Sequence, residues 1–325
     1  MNSALRPMST AEVLDRTFHL YRSNFVLFIG ISMVAQALTL VMQLAILGTY
    51  GTAGAQGGSN NGNVAISVMI ALISTVMYLV GHALASGATA HAVSLVHLGS
   101  NATIHESYMA IRRIFLIIFR IVASVAIRGI GPSIIVFLVI LVLYEAMIRM
   151  ALSQANPGTT ETFLMLVFPL AVAFAAALVW MVYVFSKYAL AVPACALERI
   201  SAKAAMKRSR FLTKKSLGRN ALVIILTGII SNALAYLFEL PVYIAHHTWV
   251  PRPFYLNLAQ LLWTYFAGFA AGALAGPIAA VAFALLYYDE RIRKEAFDLQ
   301  WMMQLLEPSG AQEITLTSSG AGVAT

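Results

Sequence analysis

The chain has 325 residues, of which 60% are hydrophobic and only 10% are charged. Soluble globular domains carry about 25% charged residues, so this composition excludes a water-soluble body and favours the lipid bilayer as the solvent. The net charge of +8 does not indicate nucleic-acid binding, because the cations flank apolar stretches, as is typical of a membrane surface. The single cysteine, Cys195, excludes an internal disulfide framework and a cysteine-based zinc site.

Six apolar stretches follow one another along the chain. They lie near residues 25–47, 64–88, 123–144, 163–186, 220–241 and 259–286. Each is close to the roughly 20 residues that a helix needs to cross the hydrocarbon core. The sequence therefore predicts an all-α, polytopic membrane helix bundle with six transmembrane helices.

Lysine and arginine residues alternate in abundance from one side of the predicted bundle to the other. They are frequent before the first span and after the second, fourth and sixth spans, whereas the opposite side holds only Arg149 and Arg252. Cytoplasmic loops of membrane proteins are enriched in these two residues. Both termini are therefore expected in the cytoplasm, with the chain in the cell (plasma) membrane.

Three segments begin alike, and each precedes a pair of predicted spans. Ser9 and Thr103 are followed three residues later by Glu12 and Glu106, the pattern of a helix capping box, while Ser201 keeps the hydroxyl without the acid. Each opening is expected to form an amphipathic helix at the membrane interface.

The openings divide the chain into a threefold repeat. A single membrane domain is predicted over 1–306, with repeats near 9–100, 103–198 and 201–289. A cytoplasmic amphipathic helix is expected over 290–306, and a disordered tail over 307–325, where the residues are small and polar.

Cations on two predicted helices are candidates for binding anionic phospholipids. Four of them recur at helical spacing in the third opening: Lys203, Lys207, Arg210 and Lys214. A basic face over an apolar face is typical of a helix that lies on a membrane. Arg120 and Arg128 are eight residues apart near the start of the third span. They are expected either to contact headgroups in general or to bind an anion or lipid selectively.

The chain resembles the bacterial glycerophosphoryl diester phosphodiesterase membrane-domain family in three segments. These are the opening RPMSTAEVLDRTFHLYRSNF, the central ALAVPACALERISAKAAMKRSRFLTKK and the ending YYDERIRKEAFDLQ. The resemblance covers nearly the whole chain and implies a six-span protein of the bacterial inner membrane. Some members of the family carry a soluble phosphodiesterase domain. None is expected here, so the resemblance brings no catalytic residues to this sequence.

Small and polar residues inside the spans give further candidates. Gly268, Gly272 and Gly276 form a small-residue face on the sixth span, which favours either close packing within the bundle or a seam between two copies. Glu239 lies near the end of the fifth span, and Gln36 and Gln43 lie in the first. Polar groups at such depth are candidates for a site in the membrane, or are solvated at the interface or bonded to a neighbouring helix.

The sequence shows no pattern of catalytic, cofactor-binding or metal-ligating residues. No cluster of carboxylates or histidines that could hold a catalytic metal is expected at neighbouring helix ends. We therefore expect a non-enzymatic membrane module without a cofactor, which organises or regulates lipids or partners. The partner would be a membrane protein, a cytoplasmic protein or a second copy of the chain. The alternatives are a small-solute transporter or channel and, less well supported, an intramembrane enzyme that acts on lipids.

Overall fold

The computed structural model describes residues 8–54, 60–97, 99–153, 159–248 and 254–295. These ranges contain ten α-helices and no strand. The helices are α1 (Thr10–Ser23), α2 (Phe25–Gly54), α3 (Asn60–His97), α4 (Ile104–Ile111), α5 (Phe115–Ser153), α6 (Thr159–Tyr188), α7 (Ala191–Glu198), α8 (Ala202–Thr213), α9 (Leu217–Thr248) and α10 (Phe254–Glu295).

Within the described residues, six stretches are long and apolar enough to cross a membrane. They are Phe25–Leu47, Val68–His97, Phe115–Val142, Phe168–Glu198, Leu217–Ile244 and Leu258–Glu295. Many large apolar side chains on them point outward, as Val26, Ile127 and Val179 do, with 80%, 70% and 70% of their surface exposed. Exposure of so extensive an apolar surface to water is unfavourable, whereas lipid tails solvate it. The predicted all-α, six-span bundle is confirmed, and the chain is an integral membrane protein.

The six long helices form a ring in chain order. Each of α2, α3, α5, α6, α9 and α10 packs against the next, and α10 returns to α2. Helices α3 and α10 also pack against each other across the ring. Helix α10 is the most buried of the six, because 56% of its most apolar window is buried, against at most 22% in the other spans.

The three predicted opening helices are present, and each begins with the hydroxyl cap that its sequence predicts, although the predicted capping box is complete only at Ser9. The Ser9 hydroxyl accepts the Glu12 amide, and the Glu12 carboxylate accepts the Ser9 amide in return, which completes a capping box. Thr103 accepts the Glu106 amide, and Ser201 accepts the amide three residues later. Such caps satisfy amides that the first helical turn leaves unpaired.

The apolar faces of these short helices are buried in the protein. Val13 and Thr17 of α1 pack towards α10, Ile111 of α4 packs towards α3, and Leu212 of α8 packs beneath α6 and α7; all four are at most 1% exposed. The short helices therefore cover the ends of the long ones. We call this end of the bundle, which holds α1, α4, α7 and α8, the basic end.

Two tyrosines tie the short helices to the spans. The Tyr21 hydroxyl donates to the Leu274 carbonyl at 2.8 Å, which joins α1 to α10. The Tyr108 hydroxyl donates to the Ile31 carbonyl and joins α4 to α2. Burial raises the pKa of Tyr108 to about 12, so this hydroxyl keeps its proton at neutral pH.

Close approach of the first two spans depends on a glycine. A Cβ at Gly81 of α3 would lie 2.9 Å from the Ala35 carbonyl oxygen of α2. That oxygen belongs to the backbone and cannot rotate away, so only glycine permits this helix separation.

The fourth span changes direction at the basic end. After Tyr188 the chain turns into α7, where Ala191, Ala194 and Cys195 are fully buried, as is Leu190 directly before the helix. Helix α7 packs against α3, α5, α8 and α10. It therefore fills the middle of the basic end and brings Glu198, its last residue, to the end of the sixth span.

Helix α10 continues without a break to Glu295. Residues 290–295, predicted to begin a separate amphipathic helix, are its last turns. The remainder of that predicted helix, 296–306, and the predicted tail, 307–325, lie outside the described residues.

Candidate functional site at the basic end

The predicted basic face of α8 is present. Lys203, Lys207, Arg210 and Lys214 are all exposed, whereas Met206, Ser209 and Leu212 on the other side of the helix are buried. The Ser209 and Thr213 hydroxyls donate to the Lys187 carbonyl, which fixes α8 beneath the end of α6. The four cations are thus held outward on a rigid support.

Arg120 and Arg128 are both exposed on α5, as their spacing predicts. Arg128 is held by its neighbours: its guanidinium donates to the Ser124 hydroxyl at 2.6 Å and lies 5.7 Å from the centre of the Tyr188 ring. It also contacts the Met206 sulfur of α8. Arg128 therefore adjoins the basic face, and it remains open to an anion on its exposed side.

A cluster of ion pairs, which the sequence reasoning missed, joins the helix ends behind the basic face. One half is centred on Arg208 of α8. Its guanidinium binds both oxygens of Glu295 in α10 and donates to Glu198 of α7 at 2.9 and 3.0 Å. The Tyr287 hydroxyl also donates to Glu198, and Arg291 donates to Glu295 at 3.3 Å. Three helices therefore meet at one guanidinium.

The other half of the cluster is centred on Asp289, whose side chain is fully buried. Asp289 accepts hydrogen bonds from Arg219 at the start of α9 and from Arg293 one turn along α10. It also accepts the backbone amide of Met8, whose carbonyl in turn accepts from Arg293. The beginning and the end of the described chain are thereby fastened together.

Lys294 extends this half towards α8. Its ammonium group lies 3.3 Å from the Glu290 carboxylate and donates to the Leu212 carbonyl at the end of α8. Glu290 is only 2% exposed and also faces Arg219 at 3.9 Å. We call these residues together the ionic cluster: Glu198, Arg208, Arg219, Tyr287, Asp289, Glu290, Arg291, Arg293, Lys294 and Glu295.

Helical spacing on α10 separates the halves of the ionic cluster. Tyr287, Arg291 and Glu295 recur every four residues and face α7 and α8, while Asp289 and Arg293 form a second row. In the sequence, the run of acidic and basic residues that ends the sixth span was the available signal of ion pairs. The partners of these residues on α7, α8 and α9 lie far away in the sequence, so residue spacing could not predict which side chains form pairs.

Carboxylates of the ionic cluster gather at neighbouring helix ends, and each of the four is paired with an arginine or lysine. Within the described ranges, no group of three or more His, Cys, Asp or Glu side chains is placed to hold a metal ion.

Arg208 keeps its charge in this environment. Burial by itself lowers the pKa of Arg208, but the hydrogen bonds to Glu295 and Glu198 outweigh burial and raise this pKa above its ordinary value. The cluster links helices without exposing an unpaired carboxylate at the surface.

A cavity of about 350 Å³ opens at the basic end beside the turn from α4 to α5. Met109, Ala110, Arg112, Arg113, Ile114 and Arg199 line it. Arg112 and Arg113 follow α4, whereas Arg199 follows α7. All three arginines belong to the basic segments from which the orientation is predicted. Nothing local in the sequence indicates that residues so far apart in the chain share a cavity.

The small-residue face of α10 packs inside the bundle. A Cβ at Gly272 would lie 2.7 Å from the Gln36 side-chain nitrogen of α2, and one at Gly276 would lie 3.6 Å from the Ser32 hydroxyl. At Gly268 no described atom lies within 4 Å of the Cβ position. Two of the three predicted packing glycines therefore face α2.

The predicted polar candidates in the membrane do not come together. Gln36 of α2 is partly buried against Gly272, and its side-chain oxygen accepts from the Thr39 hydroxyl at 3.2 Å. Gln43 and Glu239 are partly exposed on α2 and α9. These two helices do not pack extensively against each other, so the described structure offers no shared polar site for the three residues.

Comparison of the chain with protein-family models, with curated proteins and with solved structures gives no match.

Proposed function

We propose that this integral membrane protein is a non-enzymatic module that binds anionic phospholipid at its basic end and presents that end to protein partners. The observation that carries the proposal is the basic face of α8, where four cations are exposed and the opposite face is locked into the bundle. Each Lys or Arg near an anionic bilayer surface contributes about 1 kcal/mol of attraction.

The ionic cluster supports a structural role for the basic end. Its carboxylates are neutralised by arginine and lysine side chains from α8, α9 and α10. The cations that remain exposed on α8 are therefore those outside the cluster. Such a division suits a rigid support with a positively charged outer surface, to which lipid headgroups or an acidic segment of a partner can bind.

The orientation in the membrane is part of the proposal. The basic end holds the short helices, Met8 and the end of α10, and cytoplasmic loops are the ones enriched in Lys and Arg. We propose that this end and both termini face the cytoplasm, in the inner membrane of a bacterial cell.

We also propose membership of the glycerophosphoryl diester phosphodiesterase membrane-domain family. Its support is the resemblance of three segments, and two of these contribute to the ionic cluster. The central segment supplies Glu198 and Arg208, and the closing segment supplies Asp289 and Glu295. A shared need for these pairs would explain why acid and base recur in those segments.

The lipid proposal is tested by replacing Lys203, Lys207, Arg210 and Lys214 together with glutamine. The preference of the purified, reconstituted protein for spin-labelled phosphatidylglycerol over phosphatidylcholine is then measured at low and high salt. We expect the preference to fall at least tenfold at low salt, since four contributions of about 1 kcal/mol are removed. The difference should shrink as salt rises, because salt screens exposed charges.

A charge-preserving variant provides the control for this test. Replacement of the three lysines of the face by arginine keeps every positive charge and should leave the lipid preference unchanged. If the glutamine variant folds and still selects phosphatidylglycerol as the original protein does, the lipid part of the proposal is wrong.

A small-solute transporter or channel is the second candidate function. The ring of six spans favours it. The contact between α3 and α10 across the ring argues against a continuous path. Solute flux into proteoliposomes that matches empty liposomes, both for the original protein and after Arg208→Gln loosens the ionic cluster, would dismiss this candidate.

A further inference from the structure

The cavity beside the turn from α4 to α5 combines two kinds of surface. Arg112, Arg113 and Arg199 form its basic part, and Met109, Ala110 and Ile114 form its apolar part. Met109 is 50% exposed at the edge. No Asp or Glu is among the described residues that line it. The three guanidinium groups therefore lack a carboxylate within the cavity that would neutralise them.

This chemistry matches the phosphate end of an amphiphile. Guanidinium groups bind phosphate oxygens through paired hydrogen bonds, and basic pockets between helices at the cytoplasmic side of a membrane bind phospholipid headgroups. Three positive charges favour a headgroup with one or two negative charges. The apolar part suits the glycerol and the first methylene groups of the acyl chains.

Backbone strain at Arg199 is a second, independent observation. Arg199 caps the end of α7 with φ of 52°, the only positive φ at a non-glycine residue in the described ranges. Glycine is the residue that adopts this conformation without strain, and it is the usual choice at this position. A strained arginine at a cavity that contains two more arginines indicates that the side chain is needed there.

We propose that this cavity holds the phosphate group of one anionic phospholipid, bound by Arg112, Arg113 and Arg199. The site is separate from the α8 face, because none of the four α8 cations lines it. This site adds a specific lipid to the lipid-binding function proposed above, and it rests on that proposal only for the side of the membrane that the basic end faces. Arg112, Arg113 and Arg199 are exposed, as the α8 cations are, so salt screens their charges too. The apolar part of the cavity adds contacts that salt does not screen, so binding is more resistant to salt than at the α8 face.

The test measures how much lipid stays bound through purification in detergent at high salt. Native mass spectrometry counts phosphatidylglycerol and phosphatidic acid on the original protein and on the double variant Arg112→Gln, Arg113→Gln. The charge-matched control is the double variant Arg22→Gln, Lys215→Gln, since both of these residues are exposed at the same end and outside the cavity. We expect one retained anionic lipid in the original protein and the control, and at least tenfold lower occupancy in the double variant.

Arg199→Gly keeps the test independent of folding. Glycine relieves the strain at this position, so the melting temperature should stay the same or rise, while the retained lipid is lost. If Arg199 served only to end α7, Arg199→Gly would raise the melting temperature without changing the amount of retained lipid.

Competition with inorganic phosphate distinguishes the source of the ligand. If millimolar phosphate leaves the retained lipid in place, the ligand is a phospholipid. Displacement of the lipid by phosphate would show that the cavity takes free phosphate, and would overturn the proposal of a lipid ligand. Equal retention in the original protein and the cavity variants would overturn the site itself. Loss of the α8 charges should leave this lipid bound, so the two proposals can fail separately.

Discussion

Replacement of Asp289 by alanine is expected to lower the free energy of unfolding by about 3–5 kcal/mol, the cost of removing one partner of a buried ion pair. The Asp289 side chain is fully buried and that of Arg219 is 14% exposed. Without the carboxylate, Arg219 keeps a largely buried charge, and its remaining acidic neighbour is Glu290 at 3.9 Å. The Met8 amide loses its acceptor as well, which weakens the attachment of the start of the chain to α10. Denaturation in mixed detergent micelles, followed by circular dichroism, measures the change.

An exposed ion pair in the same protein provides the matched control. Arg149 and Glu145 are bonded one helical turn apart on α5, but their side chains are 77% and 63% exposed. Exposed pairs contribute about 0–1 kcal/mol, so Glu145→Ala should have little effect. The double variant Arg219→Met, Asp289→Ala should regain part of the loss, because it also removes the buried charge that Asp289 neutralises. A similar effect of Asp289→Ala and Glu145→Ala would contradict the role assigned to the ionic cluster.

Replacement of Gly272 by leucine is expected to lower the free energy of unfolding by about 1–3 kcal/mol, the usual cost of overpacking. The added side chain would extend into α2, where the Gln36 amide already lies 2.7 Å from the Cβ position. Gln36 can swing aside for a methyl group, so alanine should be tolerated better than leucine. The same denaturation assay measures both variants.

Gly268→Leu separates the two interpretations of the small-residue face. No described atom lies near Gly268, so leucine there should change stability by no more than about 0.5 kcal/mol. If the face is instead a seam between two copies, Gly268→Leu should weaken the oligomer. Sedimentation of both variants in detergent decides between these outcomes, and packing within the bundle predicts that Gly268→Leu leaves the oligomeric state unchanged.

The fold could be predicted from the sequence because its determinants are local. Apolar stretches of about 20 residues specify membrane spans, and a hydroxyl three residues before an amide donor specifies a helix start, as at Ser9, Thr103 and Ser201. The basic face of α8 was predictable for the same reason, since helical spacing alone brings its four cations to one side.

The contacts that organise the basic end could not be predicted in the same way. Glu198, Arg208 and Glu295 lie on three helices and are neighbours only because α7 turns inward to reach α10. Likewise, Arg199 lines the same cavity as Arg112 because α7 packs against α3 and α5. Each residue is an ordinary charge near a span end in the sequence, and only the tertiary arrangement of the helix ends makes it part of a site.

Labelling of single cysteines from the two sides of the membrane tests the central claim, which is a six-span bundle whose basic end faces the cytoplasm. Cys195 is buried and is first replaced by serine. Cysteines at Asn101 and Lys215, two exposed positions of the basic end, should react with an impermeant maleimide only after the membrane is opened. A cysteine at Arg149, at the opposite end, should react in intact cells. Reaction of Arg149→Cys and Lys215→Cys from the same side would contradict the account.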